Sequence, residues 1–84
     1  MAEVLYGITK DDVSDSAAAL IDINFNVAGR ADITEIKTLA ARLVTLMEPY
    51  QAKRDASGRL ASIAITDIEK AAMVMVKAVT RPQT

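Results

Sequence analysis

From Arg59 to Pro82 the chain keeps one helical period without interruption, and this constrains the fold more than any other stretch. At about 100° per residue, Arg59, Thr66, Lys70, Lys77 and Arg81 fall in one sector about 60° wide, with Ile63 and Met73 as its apolar members. The far side carries Ala61, Ala64, Ile68, Ala72, Met75 and Val79 and no charge. The pattern predicts a single long helix with an apolar back and a basic, partly apolar front. Such a front suits an anionic ligand that also has flat rings to cover. The plainer alternative is a solvated charged face. Four like charges along one sector repel, and a helix with no use for them usually mixes the signs. Here the acids Asp67 and Glu69 sit to either side of the stripe.

A second helix is predicted upstream. Asp32 and Glu35 approximate a capping box directly before an apolar period of Ile33, Ile36, Leu39, Ala40, Leu43, Leu46 and Met47. The expected helix runs from 33 to about 48, where Pro49 ends it. Residues 50–58 form the connection, and Asp55 or Ser57 caps the last helix over 58–80. At 1.5 Å per residue that helix spans about 33 Å. Two amphipathic helices with a short joint predict an antiparallel αα-hairpin.

The first third reads differently. Ile21, Ile23, Phe25 and Val27 alternate with Asp22, Asn24 and Asn26, a period of two that predicts a half-buried strand. Val4, Tyr6 and Ile8 alternate more weakly. The expectation is a β-hairpin or extended segment within residues 3–27. The fold class is then α+β, mainly α, as one domain of residues 1–84. A competing reading places a short helix at 11–20, supported by Ala17 to Ala19 and capped by Thr9 or Ser14.

At 84 residues the chain can hold one small domain, and chains of this size commonly need a staple or a partner. Cysteine is absent, so disulfides and zinc–thiolate sites are excluded. Oligomerisation is the remaining device, and an aliphatic, alanine-rich composition with one Phe and no Trp suits helix interfaces. We therefore expect a homo-oligomer. Residues 1–48 carry four bases and eight acids; residues 49–84 carry six bases and three acids. Opposed halves of this kind can attract each other within or between subunits. The net charge of −1 argues against a dedicated duplex-DNA binder. No apolar run approaches the length of a membrane helix, and the N-terminus lacks a charged signal-peptide start; a soluble cytoplasmic protein is expected.

Histidine is absent as well, which removes the commonest general base. Asp11, Asp12 and Asp15 lack the glycine and terminal glutamate of a calcium loop, and the three glycines at 7, 29 and 58 form no phosphate loop. No catalytic residue, metal or cofactor is expected; a binding role fits better. Arg59 can grip a phosphate bidentately, and Lys70 or Lys77 can add point charges. Thr66 offers a hydroxyl on the same side. Phe25 can stack on a base, and Asn26 can bond a base edge or phosphate. Against these stand structural roles: Phe25 as a core strand residue, and Thr66 bonding back to the carbonyl four residues before it.

The block Arg59-x-x-x-Ile63-Ala64-x-Thr66-x-Ile68-Glu69-x-Ala71-x-Met73, followed by Lys77-Ala78-Val79-x-x-Pro82, resembles the C-terminal helix of phage anti-CBASS and anti-Thoeris signal sponges. Phe25-Asn26-x-x-Gly29 and then Ile36-Lys37-x-Leu39 are similar to the segment opening that family's helical hairpin. The resemblance covers about residues 25–82. It implies homo-oligomers, typically hexamers, that capture cyclic di- or trinucleotides or cyclic ADP-ribose isomers between subunits without cleaving them. The resemblance further implies that holding the messenger would keep the host's suicide effector inactive in the infected cytoplasm. On the matching positions, Arg59 and Thr66 would hold phosphate, Lys37 would be a further polar contact, and Phe25 and Asn26 would belong to the pocket.

The leading expectation is thus a non-catalytic cyclic-nucleotide sponge with no polymeric nucleic acid and no membrane as partner. A structural helical oligomer or phage accessory protein without a ligand is the alternative. A DNA-binding helix-turn-helix is disfavoured by a nine-residue joint, against the usual 3–4.

Overall fold

Three helices make up a computed structural model that describes residues 8, 10–24, 26 and 29–81. A 3-10 turn at Lys10–Asp12 leads into α1 (Asp15–Ile21), followed by α2 (Ala31–Gln51) and α3 (Ala56–Thr80). No strand occurs among the described residues, which overturns the α+β expectation and its N-terminal β-hairpin.

Local chemistry explains the correction. Ser14 caps α1, its Oγ accepting from the Ala17 N–H at 3.1 Å, and three successive alanines, the best helix formers, follow. Asp22 then takes a left-handed conformation, φ 59° and ψ 53°. Its N–H bonds the Ala19 carbonyl and the Ile23 N–H bonds the Ala18 carbonyl, the paired closure of a Schellman motif. Ala17 and Ile21, four apart, are buried together, and Ile23 reaches the same core from beyond the turn. An apolar alternation at 21 and 23 therefore reports a helix end followed by a reversal. Phe25 and Val27, the continuation of the expected strand, and its proposed partner at Val4 and Tyr6 lie outside the described residues.

The start of α2 also differs from the expected capping box. Arg30 occupies the cap position without a capping bond from its side chain, and Asn26 braces it from outside the helix. The Asn26 amide donates to the Arg30 carbonyl at 2.7 Å and to Thr34 Oγ1 at 3.1 Å, while its Oδ1 accepts from the Arg30 N–H. Gly29 supplies the positive φ, +63°, that this tight approach requires. Asp32 turns outward to an ion pair with Arg30 at 2.6 Å.

Nor does Pro49 end α2, which continues to Gln51. Proline costs the bond to the Thr45 carbonyl, and the packing of Val44 and Met47 against the core outweighs it so close to the helix end. The joint is consequently four residues, 52–55, and not nine. Asp55 caps α3 by accepting from the Gly58 N–H at 3.2 Å. A Cβ at Gly58 would overlap the Lys53 carbonyl oxygen, so only glycine permits this turn. At the opposite end Arg30 Nη1 donates to the Val79 carbonyl at 2.5 Å, which ties the start of α2 to the end of α3 and makes the pair antiparallel.

The core is mostly alanine: Ala17, Ala40, Ala41 and Ala72 with Ile21, Val44 and Ile65. Small side chains bring the backbones close but bury little apolar area. α1 lies across the hairpin, held by Ser14 and Ser16, whose hydroxyls donate to the two Glu48 carboxylate oxygens at 2.6 and 2.5 Å. Arg42 donates to the Asp12 carbonyl beside them.

Candidate functional site

The charged sector of α3 points away from the core. Arg59, Thr66, Lys70, Lys77 and Arg81 are all exposed, as are Ile63 and Met73 at 48% and 62%. On the back, Ala61 and Ala72 are buried and Ile68 and Val79 half-buried, whereas Met75 is exposed. Among the described residues Arg59, Lys70 and Lys77 form no ion pair. Thr66 Oγ1 donates to the Ser62 carbonyl at 3.1 Å, the local bond its position allows, and keeps its lone pairs for a further partner.

Beside the stripe, on the α1 side, lies an open groove of about 480 Å³. Its floor and walls come from Leu20 to Asp22 at the end of α1, Lys37 on α2, and Glu69, Ala72, Met73 and Val76 on α3. That size is within the range of small-ligand sites. Met73 belongs to both features, so the groove opens onto the stretch bracketed by Lys70 and Lys77. Lys37 is buried, and its Nζ donates to the Asp22 carbonyl at 3.0 Å.

The residues named from sequence do not converge within one chain. Lys37 lines the groove; Lys70, next to Glu69 on α3, is exposed and outside the lining. Arg59 is in the first turn of α3, ten residues before Glu69, about 15 Å along the axis. The Asn26 amide is engaged at the start of α2, and Phe25 lies outside the described residues. Glu69 was overlooked as a groove residue. Its angular position, between the buried Ala72 and the exposed Thr66, marks a seam where a half-buried charge borders the core.

A second exposed surface lies across the hairpin from α1. Leu39, Leu43, Leu46 and Tyr50 are all more than 40% exposed and recur at steps of 4, 3 and 4, a coiled-coil spacing. Leu60 and Met75 are exposed on α3. Such a row is apolar surface of the type that helix interfaces use. Among the described residues no helix is long and apolar enough to cross a membrane.

An antiparallel helical hairpin with an outward basic stripe, an adjoining groove and an exposed apolar row defines a small helical-hairpin protein. Residues 15–80 match the family described as Acb2/Tad1, hairpin domain, and the chain belongs to this family of anti-CBASS and anti-Thoeris sponges. The match begins ten residues before the stretch that carries the sequence resemblance and takes in α1. The family is known for sequestering cyclic nucleotides and is a binding family, not a known enzyme family. Neither the curated proteins nor the solved structures gave a match.

Proposed function

We propose that this protein binds cyclic nucleotide immune signals and sequesters them uncleaved in the cytoplasm of the phage-infected host. The observation that carries the reading is an outward-facing row of Arg59, Lys70 and Lys77, without ion pairs among the described residues, on the long helix of a sponge-family hairpin. Arg59 and Thr66 hold phosphate, with charge-assisted bonds from a guanidinium as the strong term. Lys37 and Lys70 add positive charge at the groove, and Phe25 and Asn26 contribute from the segment before α2. Arg59 lies about 15 Å along α3 from Glu69. In the proposed homo-oligomer the pocket combines residues of different subunits, with six copies as the number that the family resemblance implies. The face of Leu39, Leu43, Leu46 and Tyr50 is the surface that copies cover.

Calorimetric titration with cyclic di- and trinucleotides and cyclic ADP-ribose isomers tests this. At least one class should bind in the micromolar range or tighter, and Arg59→Ala should weaken it at least tenfold with the oligomer intact. Full affinity in the Arg59→Ala protein removes Arg59 from the site, and no binding across the panel removes the function.

A further inference from the structure

Glu69 is out of place in a groove meant for an anion alone. The residue is half-buried, lines the groove beside Ala72, Met73 and Val76, and has no hydrogen-bond or ion-pair partner among the described residues. Lys37 shares the groove, but no ion pair joins the two. A half-buried carboxylate accepts hydrogen bonds and donates none, so a ligand beside it must bring N–H or O–H groups.

The walls narrow the choice. Leu20, Ile21, Met73 and Val76 offer apolar surface suited to covering a planar ring. Lys70 and Lys77, three residues before and four after Met73 on α3, are exposed and stand outside the groove's lining. Phosphates are thereby drawn to the rim and a base to the interior, which keeps like charges apart. Among the bases, only guanine presents two adjacent donors on its Watson–Crick edge, N1–H and the N2 amine, matching the two oxygens of a carboxylate. Adenine presents one donor and one acceptor there, and the acceptor N1 faces the carboxylate with repulsion. We propose that Glu69 is a specificity-determining residue that selects cyclic nucleotides carrying guanine over those carrying only adenine. The inference rests on the cyclic-nucleotide reading above and names the ligand class at that site.

The substitution Glu69→Gln makes a sharp test, because a glutamine amide offers one acceptor and one donor, the complement of adenine. Affinities of cyclic di-GMP, cyclic di-IMP and cyclic di-AMP are measured by calorimetry for the native protein and the Glu69→Gln variant, with helicity checked by circular dichroism. The native protein should prefer the guanine ligand over the adenine ligand by about tenfold or more, since a bidentate pair discriminates on that scale. The hypoxanthine ligand, which lacks the N2 amine, should fall between. In the variant the preference should collapse or invert towards adenine. A native protein that binds both equally, or prefers adenine, overturns the inference without touching the sponge reading and needs no variant. Equal weakening of every ligand by Glu69→Gln also overturns it, since that outcome assigns Glu69 to a ribose hydroxyl or to packing. Failure of the native protein to bind these ligands and every other cyclic nucleotide overturns both.

Discussion

The Lys37 ammonium donates to the main-chain carbonyl of Asp22 at 3.0 Å, tying the second turn of α2 to the turn that closes α1. Only 7% of Lys37 is exposed, so its aliphatic stem is packed and its charge lies at the negative end of a helix. The contact fixes one edge of the groove, because Asp22 and Lys37 both line it. Lys37→Met keeps the stem and removes the donor. It should cost about 1–3 kcal/mol, the range for leaving a part-buried acceptor unpaired. Urea unfolding at fixed protomer concentration measures this, and amide exchange should show α1 opening more readily than α3.

The other end of α1 is held by one carboxylate shared between two hydroxyls. Ser14→Ala should cost about 1 kcal/mol as a lost helix cap. Because Ser14 also donates to Glu48, the loss should not add to that of Glu48→Ala. A double-mutant cycle should give a coupling of about 0.5 kcal/mol or more. Additive losses would mean that the Ser14–Glu48 bond contributes nothing net.

Gly58→Ala reverses a familiar sign. Alanine in a helix is usually favoured over glycine by about 0.5–1 kcal/mol. Here the new Cβ would overlap the Lys53 carbonyl oxygen, part of the backbone of the turn. Destabilisation of about 1–3 kcal/mol is expected, the range for overpacking, and thermal unfolding reads it directly. Asp55→Ala, which removes the cap without crowding the turn, should cost about 1 kcal/mol.

Leu43 is 52% exposed at the centre of the apolar row on α2. In the proposed assembly Leu43→Glu places a charge where copies meet, and sedimentation velocity should show a fall in mass. An unchanged mass would place the interface elsewhere on the surface.

How much of this was legible depended on the length of each signal. α3 keeps its period from Arg59 to Thr80, so the buried Ala61 and Ala72 and the exposed cations could be read together, and its cap could be narrowed to Asp55 or Ser57, of which Asp55 is the one used. The N-terminal segment offered two short and opposed signals, the alternation over 21–27 and the alanines 17–19 behind a Ser14 cap, and α1 follows the second, which was the competing reading. Ile21 and Ile23 face the same core because Asp22 reverses the chain, a left-handed turn with no glycine to announce it. The start of α2 was hidden in a similar way, since Asn26 caps it from outside through a loop closed at Gly29. Pro49 misled because the rule for proline assumes a helix interior, whereas packing carries the last turn of α2 past it. Of the site, the stripe was legible as a periodicity. The seam position of Glu69 and the burial of Lys37 depend on how α1 crosses the hairpin, which no local pattern encodes.

The central claim is that the chain holds a cyclic nucleotide without changing it. The direct measurement is to incubate the protein with cyclic dinucleotides, cyclic trinucleotides and cyclic ADP-ribose isomers, remove unbound ligand and then heat-denature the complex. The released material is identified by chromatography and mass spectrometry. The account predicts recovery of one class, intact and in a fixed ratio to protomers, together with a rise in melting temperature of the loaded protein. A ligand at about 100 times its dissociation constant adds about 2.7 kcal/mol per site, enough to make that rise plain. Recovery of a cleaved product, or of no nucleotide at all, would contradict it.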